Sequence, residues 1–119
     1  MNVFAYQAIN EAYYQNVASE IGFKPMTTFF GDLSIAEFME RAKGVKNTYN
    51  RVMKNWIGDI KYITEFVLCL NWKAWQMSEK GNFELSKLYT DLYQKAFLKV
   101  ETHYKNDTSN LNYFYRMLD

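Results

Sequence analysis

One segment of this chain, residues 59–79, carries apolar side chains on two opposite faces when it is read as a single helix. At 100° per residue, one face holds Ile63, Phe66, Val67, Leu70, Ala74 and Met77. The opposite face holds Leu68, Trp72 and Trp75, bordered by Lys61, Glu65, Gln76 and Glu79. Such a helix must be covered on both sides, either by other helices of the same chain or by a partner molecule.

Helix-breaking residues are scarce in the rest of the sequence. The 119 residues include five glycines and one proline, and 18% of the side chains are aromatic. Few breakers favour long elements with short connections. The sequence therefore predicts an all-α fold, a single compact bundle of about five helices around a central hydrophobic helix at about 59–79. Residues 1–119 are expected to form one helical domain, with residues 1–22 either integral to it or an amino-terminal helical extension.

The other helices are placed by their apolar spacing and their caps. The expected elements are helices at 3–20, 34–43, 45–57, 82–105 and 111–118, with an extended connector at 26–32. Gly44 is expected to end or kink the helix that begins at the Ser34–Glu37 capping box. Asp59 and Asn82 are expected to cap the helices that follow them. Two inner faces are predicted, one with Tyr13, Val17 and Ile21 and another with Val45, Tyr49, Val52 and Trp56.

The helix at 45–57 is predicted to have a basic face. Between residues 41 and 61 there are six positive side chains and one negative side chain, Asp59. The positive ones are Arg41, Lys43, Lys46, Arg51, Lys54 and Lys61. Asn47 and Asn50 lie among them, so this face fits contact with phosphates or base edges. The two helices around Gly44 also allow a helix-turn-helix arrangement. A formal net charge of +1 argues against a general polyanion binder.

The second apolar face of the central helix has the composition of an interface, with aromatic anchors and a polar rim. The alternative is that the chain's own helices cover it, for example the amino-terminal helix or the segment at 113–115. Burial is favoured for Trp75, and Trp72 is expected to be the more open of the two. The candidate partner-binding residues are Lys46, Arg51, Lys54, Lys61, Trp72 and Gln76.

The residues that most enzymes need are missing or badly placed. His103 is the only histidine, and the only cysteine, Cys69, falls in the most apolar helix. No phosphate-binding loop, dinucleotide fingerprint or metalloprotease motif occurs. We therefore predict no catalytic site, no metal and no cofactor. The unpaired cysteine favours the reducing cytoplasm, and no stretch approaches the roughly 20 apolar residues of a membrane span.

Several segments of the chain together resemble a known group of sequences. They are FGDLSIA at 30–36, VKNTYNR at 45–51, YITE at 62–65, LNWKAW at 70–75 and YFYR at 113–116, with Asp119 at the end. Over roughly residues 29–119 the chain resembles a family of small uncharacterised proteins encoded on conjugative elements, plasmids and phages of gut-type anaerobic bacteria. The resemblance implies a mobile-element origin, a setting in which small proteins often bind and disable host factors, including defence nucleases. It implies no catalytic residue.

These observations lead to two expectations for function. The first is a non-enzymatic mobile-element protein that binds a host protein stoichiometrically, as an anti-defence inhibitor of the anti-CRISPR kind does. Its partner would be a nuclease or a nuclease–nucleic acid complex. The alternative is a small nucleic-acid-binding accessory or regulatory protein that uses the basic helix at 45–57. No membrane partner is expected, and the sequence leaves monomer and homodimer open.

Overall fold

Five α-helices make up most of the chain that the structure describes. In this computed structural model the described residues are 11–23 and 34–119. The helices are α1 (Glu11–Ile21), α2 (Ile35–Trp56), α3 (Ile60–Glu79), α4 (Phe83–His103) and α5 (Thr108–Leu118). The predicted all-α bundle around a central helix is confirmed. The expected helical residues 3–10 and the connector at 26–32 lie outside the described residues.

Side-chain caps explain where α2 and α3 begin. The Ser34 hydroxyl accepts a hydrogen bond from the Glu37 amide at 3.2 Å and donates one to the Glu37 carboxylate at 2.9 Å. Asp59 accepts from the Tyr62 amide at 3.1 Å. Both bonds confirm the prediction that Ser34 and Asp59 cap these helices. Asn82 precedes α4 as expected, but its side chain makes no capping hydrogen bond, and its amide is buried without a partner among the described residues.

The helix α2 continues through Gly44, so the prediction that a helix ends there is wrong. Glycine in a helix interior costs only about 1 kcal/mol relative to alanine. Burial of Val45, Tyr49 and Val52 on the inner face of α2 outweighs that cost. The helix-turn-helix arrangement around Gly44 is therefore also wrong. Trp56 departs from the predicted core stripe, because its side chain is 40% exposed at the end of α2.

The central helix α3 is buried on both of its apolar faces, as the sequence requires. Its buried positions include Ile63, Phe66, Val67, Leu70, Ala74 and Met77 on one side, and Leu68 and Trp72 on the other. The chain's own helices provide the cover, with α4 making the most extensive contact. Within the described ranges, none of the helices combines the length and apolar character that a bilayer crossing requires.

Helix α1 covers the second face of α3, and one of the inner residues predicted for it is wrong. Tyr14 stacks on Trp72, with 6.3 Å between ring centroids and an interplanar angle of 23°. The buried side chains of this segment are Tyr14, Ala18, Ile21 and Phe23. The predicted inner residue Tyr13 is instead 50% exposed, and its hydroxyl donates a hydrogen bond to the Glu65 carboxylate. Ile21 is buried as predicted and Val17 packs partly buried against the core, so the prediction is wrong at Tyr13, where Tyr14 is the buried residue.

Candidate functional site

One face of α2 is exposed and basic along most of the helix. At 100° per residue, Lys43, Lys46, Asn47, Asn50 and Lys54 share this side, and all five are exposed. From residue 41 to residue 57 the chain has five positive side chains and no negative one. We call Lys43, Lys46, Asn47, Asn50 and Lys54 the basic face of α2. It contains two of the predicted partner-binding residues, Lys46 and Lys54.

Two exposed apolar residues extend the basic face toward the beginning of α2. Ile35 is 81% exposed and Met39 is 64% exposed. Met39 lies one helical turn before Lys43 and two turns before Lys46, on the same side of the helix. Large apolar side chains next to a cluster of charges are typical of surfaces that bind another protein.

Arg51 has a structural role that the sequence analysis did not anticipate. Its guanidinium donates a hydrogen bond to the Ile21 carbonyl at the end of α1. Gly22 follows with a φ of 118°, in the left-handed region that favours glycine. A Cβ at Gly22 would lie 3.1 Å from Nη2 of Arg51. Arg51 therefore links α2 to the end of α1. The guanidinium that was predicted to bind a partner makes this contact within the chain.

The remaining basic candidate, Lys61, lies at the other end of the α2–α3 connection. It is exposed in the first turn of α3. Beside it, Tyr62 stacks on Trp56, with ring centroids 4.5 Å apart and an interplanar angle of 19°. Trp56 is the most exposed of the three tryptophans. The Trp56–Tyr62 pair was not among the predicted site residues.

The expectation for Trp72 and Trp75 is wrong. Trp72 has no exposed surface, whereas Trp75 is half-buried. The sequence places both on the same face of α3, but Tyr14 of α1 lies directly on Trp72. Trp72 therefore has no surface to offer a partner in this structure. Its indole N–H has no hydrogen-bond partner among the described residues.

Gln76 is also buried, at 8% exposure, so the surface role predicted for it is wrong in this structure. Its side-chain oxygen accepts a hydrogen bond from the Lys73 ammonium at 3.0 Å. Lys73 is itself only 1% exposed, so both side chains of this contact are buried. A buried amide oxygen is one of the few neutral groups that can solvate an ammonium. Gln76 therefore belongs to the interior around Lys73.

Lys73 is the main polar group that the sequence analysis missed. The pKa of Lys73 is lowered from 10.5 to about 8, chiefly by burial and then by the positive charge of Arg41; Lys80 also lowers it, and Cys69 acts in the opposite direction. Its ammonium also lies 5.6 Å from the centre of the Trp72 ring and 5.7 Å from that of Tyr89. Burial likewise raises the pKa of the Tyr89 hydroxyl.

A signal for Lys73 was present in the sequence. At 100° per residue, Lys73 lies on the side of α3 opposite Asn71 and Ser78, which belong to the open edge of the helix. A helix covered on two opposite faces leaves two narrow edges for polar side chains. Lys73 lies next to Phe66 in this projection, so burial was one possibility, and the packing of the helices decided it.

The single cysteine and the single histidine lie in different surroundings. Cys69 is a buried free cysteine, and burial, followed by the negative charge of Glu65, raises the pKa of its thiol. His103 is exposed in the last turn of α4. In the part of the chain that the structure describes, no group of three or more His, Cys, Asp or Glu side chains is arranged to hold a metal ion. Comparisons of the chain with protein-family models, curated proteins and solved structures found no match.

Proposed function

We propose that this protein acts without catalysis, by stoichiometric binding of a host protein through the exposed face of α2. The observation that carries the proposal is the continuity of that face. It begins with the apolar residues Ile35 and Met39 and continues into the basic face of α2, which contains no carboxylate. Its proposed occupant is a protein surface with an apolar patch beside an acidic one.

The size of this face favours a protein partner. A helix of 22 residues is about 33 Å long, which matches one side of a standard interface of about 800 Å² per partner. Exposed apolar residues gain free energy when another protein covers them, at about 25 cal/mol per Å². Contact with phosphate groups would bury little of the apolar surface of Ile35 and Met39.

The proposed setting of this binding is a mobile genetic element, and the proposed role is inhibition of a host defence factor, as an anti-CRISPR protein does. This part rests on the sequence resemblance alone. The proposed target is a nuclease whose own protein surface carries the acidic patch. We propose a cytoplasmic setting, with which the free thiol of Cys69 agrees.

Direct nucleic-acid binding is the second candidate, and the basic face of α2 is the observation that favours it. Lys43, Lys46 and Lys54 can contact phosphates, while Asn47 and Asn50 can hydrogen-bond to phosphates or base edges. Three or four such contacts give only weak, salt-sensitive affinity, with dissociation constants of about 10⁻⁴–10⁻⁶ M. A stronger complex would need contacts beyond this face.

A pair of charge-reversal variants tests the proposal. Lys46→Glu combined with Lys54→Glu removes the basic face. Lys87→Glu combined with Lys95→Glu changes the net charge equally at exposed sites on α4. Both are used for affinity capture from nuclease-treated host lysate, with quantitative mass spectrometry. We expect one host protein to be retained by wild type and by the α4 variant and lost from the α2 variant.

Two further measurements separate the candidates. Met39→Ser should weaken capture of a protein partner while leaving binding to a labelled 20-nucleotide single strand unchanged. Fluorescence anisotropy of that strand, measured between 50 and 200 mM salt, reports the nucleic-acid alternative. The proposal fails if the α2 and α4 variants capture the same proteins. It also fails if binding is abolished by nuclease and depends steeply on salt.

A further inference from the structure

A pocket of about 410 Å³ lies between α2, α3 and α4, beside the residues that follow α1. This volume is at the lower end of the range of about 300–1,000 Å³ found for small-ligand sites. Its apolar lining residues are Phe23, Val45, Met77, Leu85 and Tyr89. Its polar lining includes Glu37, Glu40, Arg41, Thr48 and Lys73. We call it the Lys73 pocket.

Lys73 and Arg41 give this pocket two positive charges. The Lys73 ammonium can donate three hydrogen bonds, and the one to Gln76 is to a neutral oxygen. Among the charged groups that affect its ionisation, Arg41 has the largest effect and is also positive; Lys80 adds to it, and Cys69 acts in the opposite direction. A buried ammonium that faces other cations is electrostatically uncompensated. An anion bound beside it would supply the missing charge.

The mouth of the pocket has the opposite sign. Glu37 and Glu40 line the pocket and are exposed to solvent. The carboxylates at this mouth would repel a ligand with several negative charges. A single negative charge placed deep beside Lys73 is attracted by Lys73 more strongly than it is repelled by the mouth, because burial strengthens the inner interaction. The apolar walls in turn require an apolar part of the ligand.

We infer that the Lys73 pocket binds a small monocarboxylate with an apolar body. Its carboxylate accepts hydrogen bonds from Lys73 and Arg41, and its apolar body packs against Phe23, Met77 and Leu85. This site faces away from the basic face of α2. Its existence does not depend on the partner proposed above.

Three probes of matched chemistry test the assignment by isothermal titration calorimetry. Octanoate has the carboxylate and the apolar chain, octylamine has the same chain with a positive charge, and inorganic phosphate has negative charge without a chain. We expect octanoate to bind, and octylamine and phosphate to bind at least about tenfold more weakly, since a charge-assisted hydrogen bond is worth about tenfold or more.

Two variants test whether Lys73 and Arg41 contribute to octanoate binding. Lys73→Met keeps the length of the side chain and removes its charge, and Arg41→Gln removes the second charge. Each should weaken octanoate binding about tenfold or more. Lys95→Met, at an exposed site on α4, should bind octanoate as wild type does. Circular dichroism on each variant establishes that it is folded before its affinity is interpreted.

The pH dependence of binding identifies Lys73 as the group involved. Octanoate stays ionised above about pH 6, so its affinity should fall as pH rises through the pKa of Lys73 near 8 and the ammonium loses its proton. Lys73→Met should lack this fall. The other charged or titratable groups around this amine are Arg41, Lys80, Cys69, Tyr89, Glu37 and Glu40.

Specific results would overturn the inference. Equal binding of octanoate and octylamine would mean that the pocket recognises only the apolar chain. Equal binding of phosphate and octanoate would remove the requirement for an apolar body. Unchanged octanoate affinity in Lys73→Met would place the anion elsewhere. Failure of all three probes to bind would refute the assignment outright.

Discussion

Replacing Lys73 with methionine should stabilise this protein near neutral pH, although it removes a hydrogen bond from the interior. Lys73 is 1% exposed, and its pKa is lowered from 10.5 to about 8, chiefly by burial. At 1.36 kcal/mol per pKa unit, a lowering of this size corresponds to about 3 kcal/mol of destabilisation of the protonated folded state. Methionine fills a similar volume and brings no charge.

Part of this gain is offset by the interactions that the ammonium makes. Loss of the hydrogen bond to Gln76 costs about 1 kcal/mol, and the contacts with Trp72 and Tyr89 contribute a similar amount. We therefore expect Lys73→Met to raise the free energy of unfolding by about 1–2 kcal/mol at pH 7. Urea unfolding followed by circular dichroism measures this difference.

The pH dependence provides the sharper test. Below pH 8 the amine is protonated in both folded and unfolded states, so the folded wild type carries the whole destabilisation. Between pH 8 and 10.5 the folded state binds fewer protons than the unfolded state, and wild-type stability from this group rises with pH. The advantage of Lys73→Met should therefore shrink by about 3 kcal/mol, and change sign, between pH 7 and pH 10.5.

Comparison of the two proteins removes the contribution of other titrating groups. Tyr89, whose pKa burial raises, affects wild type and variant alike. Cys69 is the exception, because the charge of Lys73 acts on the pKa of its thiol, which burial raises. Lys95→Met serves as the exposed control and should change stability by less than about 0.5 kcal/mol at either pH. The reasoning is refuted if Lys73→Met is destabilised at pH 7 by an amount that stays constant to pH 10.5.

Other perturbations test the packing described above. Trp72→Ala should lower the free energy of unfolding by about 3–5 kcal/mol in urea, whereas Trp72→Phe should cost clearly less because stacking on Tyr14 is kept; equal losses would contradict the packing. Arg51→Met should cost about 1–3 kcal/mol and speed amide hydrogen exchange in α1, while Lys54→Met should leave both unchanged. The thiol of Cys69 should react with a disulfide reagent at least about 100-fold more slowly in the native protein than in urea; rapid native reaction would mean that the helix around it opens readily.

The sequence by itself determined the fold class and the place of the central helix. Apolar residues at both Leu70 and Leu68 leave α3 no solvent-facing apolar side, so any stable fold must surround it. The caps at Ser34 and Asp59 were also readable, because each depends only on a side chain and the amide three residues later. Such local patterns do not require knowledge of the rest of the chain.

The tertiary structure decided which helix covers which face, and this determined the candidate site. The sequence cannot tell that Tyr14 lies on Trp72, because the rotation of α1 about its axis depends on packing over more than fifty residues of separation. Tyr13 and Tyr14 lie about 100° apart on α1, and it is Tyr14 that faces Trp72 and covers it. The same packing buries Lys73 and Gln76 and leaves the basic face of α2 exposed. Local periodicity specifies how apolar a face is, whereas only the arrangement of the helices specifies what covers it.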